Sequence, residues 1–182
     1  MLFLTVIFLT VASTLGQIPV DHCPEVTVEQ NFNAAAYLGK WYEQQKYPII
    51  WEFLGKCITA NYSLNSDGTV KVYNQQIDVL TNEKKDIIGE AKIDSDKGEA
   101  KLLVTFHNPE VTAPYWVLST DYENYSVVLS CDKAFGITAE TVWILTRAQN
   151  PSQDIIESAL NVVKKNNLSD SLLIQTDQEN CN

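Results

Sequence analysis

The sequence has few of the residues that catalytic and metal sites usually require. It contains two histidines, His22 and His107, and its one methionine is Met1. No two of its Cys or His residues stand at the CxxC or HxxxH spacing that zinc sites use. The strand–turn–helix pattern of a Gly-x-Ser-x-Gly nucleophile elbow is absent as well. We therefore predict no metal ion, no catalytic residue and no enzyme activity.

Basic residues are also scarce. The chain has 13 Lys and Arg against 23 Asp and Glu, which gives a formal net charge of −10. The basic residues are scattered singly or in pairs, whereas a nucleic-acid partner requires a clustered basic face. We expect no nucleic-acid partner and a well-solvated acidic surface.

Long apolar runs are missing beyond the first residues. The run from Leu2 to Ala12 is too short to cross a bilayer, and its position is typical of a secretory signal peptide. We predict a signal peptide over residues 1–16 and one domain over residues 17–182, secreted to the extracellular space. A buried N-terminal strand is the alternative, since no Lys or Arg precedes the apolar run.

Four cysteines follow the predicted signal peptide, namely Cys23, Cys57, Cys131 and Cys181. In an exported chain two disulfides are expected, and their spacing does not choose among the three possible connectivities. Three Asn-x-Ser triplets agree with export and mark candidate glycosylation sites. These sites are Asn61, Asn124 and Asn167.

The middle of the chain consists of eight short β-rich runs separated by turn residues. The runs cover residues 40–47, 57–64, 69–77, 86–93, 99–106, 115–121, 125–131 and 140–147. Such spacing predicts an antiparallel sandwich or barrel without deciding between them. In the last run Trp143, Leu145 and Arg147 share one face, because side chains alternate along a strand. An arginine on a face of core residues requires an explanation.

A helix is predicted after the last β-rich run. Asn150 can cap it, Pro151 fits its first turn, and the apolar spacing from Ile155 to Val163 is that of an amphipathic helix of about four turns. We expect this helix to lie on the sheet. A short extra strand over residues 172–174 then leads to Cys181.

Three motifs resemble those of the lipocalin family. They are Gly39-Lys-Trp41, Thr120-Asp121-Tyr122 and Arg147 in Trp-Ile-Leu-Thr-Arg, in this order. Residues 55–64 and 113–125 are similar over longer stretches to the apolipoprotein D-like branch of the family and its bilin-binding relatives in insects. The resemblance runs from Cys23 to Cys181.

The resemblance implies an all-β fold, an eight-stranded antiparallel up-and-down barrel with one C-terminal α-helix packed outside. It also implies disulfides Cys23–Cys131 and Cys57–Cys181. Alternate turns of such a barrel lie at the same end, which brings the three motifs together below the interior. Arg147 can stack there on Trp41 and form a structural plug. The predicted plug consists of Gly39, Trp41, Thr120, Asp121, Tyr122 and Arg147.

By the same resemblance the barrel interior is the ligand site, with its mouth framed by loops 48–56, 78–85, 107–114 and 132–139. The alternative is that side chains fill the barrel completely. The inward residues are mostly apolar or aromatic, as small-molecule sites usually are. The predicted ligand-binding residues are Ile58, Ala60, Tyr62, Val72, Asn74, Leu102, Val104, Phe106, Trp143 and Leu145.

The implied function is that of a carrier for a small hydrophobic molecule such as a sterol, a pheromone-like lipid or a fatty acid. No cofactor is expected, although biliverdin is an alternative ligand and a pigment lipocalin the alternative function. Where relatives can carry an arginine near the mouth this chain has Asp78, and Lys71 and Lys101 point outward, so we expect a neutral or amphipathic ligand. The apolar loop 48–54 is either a lid or a contact surface for a lipid surface or a protein.

Overall fold

An antiparallel sheet that curves back on itself is the main element of the computed structural model, which describes residues 17–49, 52–134 and 136–181. Its barrel strands are β2 (Gly39–Lys46), β3 (Gly55–Leu64), β4 (Val70–Asp78), β5 (Lys84–Ile93), β6 (Lys101–His107), β7 (Glu110–Thr120), β8 (Tyr125–Ala134) and β9 (Ile137–Thr146). The other elements are β1 (Ile18–Val20), α1 (Ala34–Tyr37), α2 (Gln153–Lys165), a 3₁₀ turn (Asp170–Leu172) and β10 (Ile174–Gln175).

The barrel closes because its first strand pairs with its last. Each strand from β2 to β9 pairs with the next along the chain, and β2 also pairs with β9, from Tyr42 opposite Thr146 to Lys46 opposite Trp143. Closure removes the two exposed edges that an open sheet would have. The predicted up-and-down barrel is confirmed.

Two of the four predicted mouth loops are wrong, because the strands beside them are longer than expected. Between β6 and β7 only residues 108–109 lie outside the strands, in place of loop 107–114. In place of loop 132–139, β8 extends to Ala134 and β9 begins at Ile137. Pro114 suggests a break in the sequence pattern, yet it lies within β7 opposite Leu103. A proline removes one donor from a strand but allows an extended backbone there.

Two elements at the start of the described chain have no counterpart in the prediction. β1 adds to the outer edge of β9, with Ile18 opposite Glu140. The one-turn helix α1 begins after Asn33, whose side-chain oxygen accepts a hydrogen bond from the Ala36 amide. Because α1 immediately precedes β2, it lies at the barrel end where Gly39 and Trp41 begin the first strand.

The predicted helix lies on the outer face of the barrel as α2. It buries Ala159 and Val163 against a core that includes Leu129 and Ile144, which are residues of β8 and β9 that face away from the interior. The predicted cap is wrong, because the helix begins after Ser152 and that side chain makes no capping hydrogen bond. Asn150 lies two residues too early to reach the first free amides of the helix.

The C-terminal segment completes the barrel wall. β2 and β3 pair only over Gly39–Tyr42 and Thr59–Tyr62, and above that point β10 lies beside β2. Gln178 then bridges the two separated strands, since its Nε2 donates hydrogen bonds of 2.8 Å to the carbonyls of both Glu43 and Ile58. The predicted strand over 172–174 is displaced to Ile174–Gln175, because residues 170–172 form the 3₁₀ turn.

Two disulfides fix the chain ends to the barrel. The structure joins Cys23 to Cys131 of β8 and Cys57 of β3 to Cys181, with Cα atoms 5.7 and 5.5 Å apart. The predicted signal peptide, residues 1–16, lies outside the described residues. Within the described ranges no helix has the length and apolar character that a membrane crossing requires.

Candidate functional site

Arg147 and Trp41 close one end of the barrel. The guanidinium carbon of Arg147 lies 3.7 Å from the centroid of the Trp41 ring, which is fully buried. The three guanidinium nitrogens donate to three backbone carbonyls, Nε to Tyr122 at 2.9 Å, Nη1 to Lys40 at 2.9 Å and Nη2 to Ala36 at 3.0 Å. The inward arginine is thus satisfied by one aromatic face and three acceptors.

The Thr120–Tyr122 turn holds one of those acceptors in place. Asp121 Oδ1 accepts hydrogen bonds from the amides of residues 123–125, and Thr120 Oγ1 accepts one from the Tyr122 amide. Gly39 has a φ of +95°, and a Cβ there would lie 3.3 Å from Arg147 Nη1, so a side chain would be both strained and crowded. The structure therefore brings all six predicted plug residues together.

Three tyrosine hydroxyls form the floor of the interior, just above the plug. Tyr115 Oη lies 3.0 Å from Tyr37 Oη and 2.9 Å from Tyr62 Oη, and Tyr37 Oη lies 2.8 Å from Ser126 Oγ. Burial raises the pKa of Tyr37 to about 12, and it raises the pKa of Tyr62 and Tyr115 as well. These hydroxyls stay neutral and present hydrogen-bonding groups in an otherwise apolar space.

Sequence reasoning identified one of the three floor tyrosines. Tyr62 belongs to an alternating run. Tyr115 was expected at the first position of its run, directly after a predicted loop, so no alternation before it assigned its side chain to a face. The alternation of Ala113 and Tyr115 could have revealed it. Tyr37 precedes the barrel, and no periodic signal in the sequence marks it.

Above this floor lies a cavity of about 860 Å³, within the usual range for small-molecule sites. The barrel is therefore not filled by its own side chains. Phe106 and Trp143 lie on its wall, and the described lining residues include neither histidine nor cysteine. All ten predicted ligand-binding residues line the cavity: Ile58, Ala60, Tyr62, Val72, Asn74, Leu102, Val104, Phe106, Trp143 and Leu145.

A buried ion cluster, which the sequence pattern did not reveal, lies at the wall of this cavity. Lys46 Nζ lies 2.7 Å from Glu43 Oε1 and 2.9 Å from Glu52 Oε2, and the Lys46 side chain is 3% exposed. Thr176 Oγ1 also donates to Glu43 Oε1, at 2.5 Å. An irregularity in the β2–β9 register between Glu43 and Gln45 breaks the alternation of β2, so strict alternation predicts the wrong face for Lys46.

Burial and the neighbouring charges together determine the ionisation of this cluster. It raises the pKa of Glu43, and the nearby charge of Glu52 raises it further, while Lys46 acts in the opposite direction. Burial alone would lower the pKa of Lys46, but the two carboxyl groups outweigh it and raise that pKa. Lys46 is therefore the fixed cation of the cluster.

A second ion pair stands at the rim. Lys85 Nζ lies 2.6 Å from Asp78 Oδ2, and Asp78 Oδ1 accepts hydrogen bonds from the amides of Leu80 and Thr81. The hydrogen bond from Lys85 and these backbone bonds lower the pKa of Asp78 to about 2. Sequence reasoning found no cation for an anionic ligand at this position. Lys85 does line the cavity, but Asp78 already engages it.

Loop 48–54 has an inward and an outward part. Ile49 is 2% exposed and Phe53 is 74% exposed, while residues 50 and 51 lie outside the described residues. The neighbouring loop exposes Val79 and Leu80 in the same way. In the described part of loop 48–54 one residue therefore packs inward and another faces solvent, while the roles of lid and of contact surface both stay predictions.

The three candidate glycosylation sites are exposed. Asn61 lies on the outer face of β3 and Asn167 follows α2, whereas the Asn124 side chain donates a hydrogen bond to Asp121 Oδ2 at 2.8 Å. Among residues 17–49, 52–134 and 136–181, no three His, Cys, Asp or Glu residues are grouped so that they could hold a metal ion.

Comparison with known proteins gives consistent matches. The model of the Lipocalin-like domain matches residues 32–178. The chain is 40% identical over 162 residues to apolipoprotein D of Cavia porcellus, covering 87% of this chain and 84% of that one. It is 38% identical over 160 residues to the Lazarillo protein of Schistocerca americana, covering 86% and 74%. The solved structure of insecticyanin from the tobacco hornworm Manduca sexta superposes with a TM-score of 0.78 at 30% identity, covering 89% of each chain.

Proposed function

This chain belongs to the lipocalin family, and we propose that it is a secreted carrier that holds one small hydrophobic molecule inside its barrel. The observation that carries the proposal is the cavity of about 860 Å³, closed below by the Arg147–Trp41 plug and bounded by apolar and aromatic side chains. Burial of a ligand's apolar surface against such a wall drives its binding.

Export is supported by the chemistry of the cysteines. All four are joined in disulfides, which persist in oxidising compartments. The apolar N-terminal run and the exposed Asn-x-Ser sites agree with a secreted glycoprotein. The absence of a clustered basic sequence argues against a nucleic-acid partner.

A carrier explains the site better than an enzyme. Some lipocalins act as isomerases through a free barrel cysteine, whereas every cysteine of this chain has a disulfide partner. The floor tyrosines have raised pKa values, so they are poor bases near neutral pH. Hydrogen-bonding groups that stay neutral suit the orientation of a bound molecule.

The ligand classes that fit are a sterol, a pheromone-like lipid or a fatty acid. Biliverdin is a second candidate, favoured by the similarity to insecticyanin and by aromatic and amide groups on the wall, Tyr62, Trp143 and Asn74 among them. Asn74 Oδ1 is buried without a hydrogen-bond partner among the described residues, so a ligand that donates a hydrogen bond would satisfy it. Loop 48–54, through Phe53, offers a contact for a lipid surface or a protein during loading.

Native mass spectrometry and an absorption spectrum of the protein from its natural source test the proposal. We expect one bound hydrophobic molecule per chain, and a blue-green colour would identify a bilin. Titration of ligand-free protein with a sterol, a fatty acid and biliverdin then ranks the candidates. If none of these binds at micromolar concentrations, the carrier function is wrong.

A further inference from the structure

We infer that Glu43, Lys46 and Glu52 form a polar subsite of the cavity that selects ligands with a hydrogen-bond-donating head, a hydroxyl or an amine, over ligands with a carboxylate. The inference rests on the proposed carrier function and narrows it. Among the ligand classes named above it favours alcohols, sterols included, and it disfavours fatty acids. The three residues are called the polar subsite below.

The polar subsite presents its acceptors, not its cation, to the ligand. Glu43 and Glu52 both line the cavity, and Lys46 is not among the lining residues. The register explains the arrangement, since Glu43 and Lys46 are paired with the inward residues Leu145 and Trp143 of β9. A ligand beside Trp143 therefore meets Glu43 and Glu52, whereas Lys46 does not line the cavity.

The count of donors also favours a donor head. Lys46 and Thr176 supply three short contacts, two of which end on Glu43 Oε1 and one on Glu52 Oε2. None of these contacts uses Glu43 Oε2 or Glu52 Oε1. The raised pKa of Glu43 favours its protonated form at neutral pH, so the acceptor in excess is the Glu52 carboxylate. A hydroxyl or an amine adds a donor there, and a hydroxyl can also accept from Glu43. A ligand carboxylate would add a third acidic group to one cation in a poorly solvated space.

An independent observation indicates a polar ligand group near this part of the cavity. Ser130 is 3% exposed and lines the cavity, and its Oγ has no hydrogen-bond partner among the described residues. Thr141, paired with Ser130 across β8 and β9, is fully buried, and its Oγ1 also has no hydrogen-bond partner among the described residues. This pair lies one inward row beyond Trp143, the partner of Lys46. Buried hydroxyls of native proteins usually have partners, and a ligand head would supply one to Ser130, the member of this pair that lines the cavity.

The remaining charges of the cavity wall do not favour an anion. Asp86 and Asp132 line it as further acids, and Lys85 is engaged by Asp78 at 2.6 Å. Among the described residues, an anionic head could gain a cation only by displacing one of these two ion pairs. A donor head displaces neither.

The test compares a straight-chain amine, alcohol and carboxylic acid of equal chain length, each titrated into the full mature chain at neutral pH. We expect the amine and the alcohol to bind about tenfold more tightly than the acid, a difference typical of one hydrogen bond to a charged group. In Glu43→Gln and in Glu52→Gln this preference should fall several-fold, chiefly through tighter binding of the acid.

Glu140→Gln is the matched control. Glu140 is a buried carboxyl of β9 whose pKa is also raised by burial, but it does not line the cavity. Its variant should keep the full preference. The Glu52 side chain is 17% exposed, so Glu52→Gln disturbs the fold less than Glu43→Gln. If Glu43→Gln does not fold, the ligand preferences of Glu52→Gln and of the wild type test the polar subsite.

The polar subsite is overturned if the wild type binds the acid as tightly as the amine and the alcohol, or if both folded variants keep the wild-type preference. Either result leaves the carrier function intact. If the three amphiphiles, a sterol and biliverdin all fail to bind, the carrier function falls together with the inference.

Discussion

Trp41 and Arg147 meet where the barrel closes, one near the start of its first strand and the other directly after its last, with 3.7 Å between the guanidinium carbon and the ring centroid. The contact joins two residues 106 positions apart in the sequence numbering. Because Arg147 also binds the carbonyls of Ala36, Lys40 and Tyr122, it links α1, β2 and the β7–β8 turn.

Replacing either residue should weaken the whole barrel. We expect Trp41→Ala to lower the free energy of unfolding by about 3–5 kcal/mol, the range for loss of a packed aromatic. Arg147→Ala should lower it by less, because its half-buried side chain loses hydrogen bonds and the stacking contact but no ion pair. Urea denaturation followed by circular dichroism measures the change, with the exposed Lys40→Ala as control. A variant that unfolds like the wild type yet loses all ligand would make the plug part of the binding site instead.

Trp143 should contribute directly to binding, since it lines the cavity above the plug. We expect Trp143→Ala to weaken binding by about 1–3 kcal/mol through lost apolar contact and stacking. Lys101→Ala, on the outer face of β6, should change affinity little. Ligand should also quench or shift the tryptophan fluorescence of the wild type. Unchanged affinity in Trp143→Ala would contradict binding in the central cavity.

The disulfides should supply much of the stability of the chain. They span 108 and 124 residues, so the chain-entropy model gives each about 4–5 kcal/mol as an upper value. Peptide mapping without reduction should recover Cys23 with Cys131 and Cys57 with Cys181. A peptide that joins Cys23 to Cys57 would contradict this pairing.

The rim ion pair should make stability depend on pH at the acidic end. The pKa of Asp78 falls from 3.8 to about 2 in the folded chain, so its contribution is fully present above pH 3.8 and is lost as the pH falls towards 2. The difference in Tm between wild type and Asp78→Asn should therefore shrink over this window. Asp96→Asn, an exposed carboxyl in the β5–β6 turn, is the control. A constant difference from pH 5 to about pH 2 would refute the assigned cause.

Sequence reasoning succeeded where strands alternate without interruption. In β6, and in β3 beyond its register shift between Lys56 and Thr59, inward and outward side chains alternate. Ala60, Leu102 and Val104 could therefore be assigned to the cavity from period two alone. Alternation alone could not predict the plug, because its residues are far apart in sequence. Only the three motifs with the barrel topology brought Trp41 and Arg147 together.

Sequence reasoning failed where one irregular residue changes the face of all that follow. In β2 the register shift after Glu43 places Lys46 on the inward side, and alternation carries no sign of that shift. The pairing of Glu52 with Lys46 depends on how the following loop folds back, which is a tertiary property. The prediction for β7 was too short, since the run was expected to begin at residue 115 and the strand begins at Glu110.

The bridge that Gln178 makes between β2 and β3 determines when the barrel wall can be completed during synthesis. A ribosome has made all eight barrel strands by Thr146, yet the separated edges of β2 and β3 have no partner until residues 174–178 emerge. Such edges are templates for pairing with another chain. Contacts between the start and the end of a chain also form slowly, because a long loop must close first. A nascent chain that still lacks residues 174–178 is thus the state most exposed to aggregation, because these residues cover the separated edges of β2 and β3.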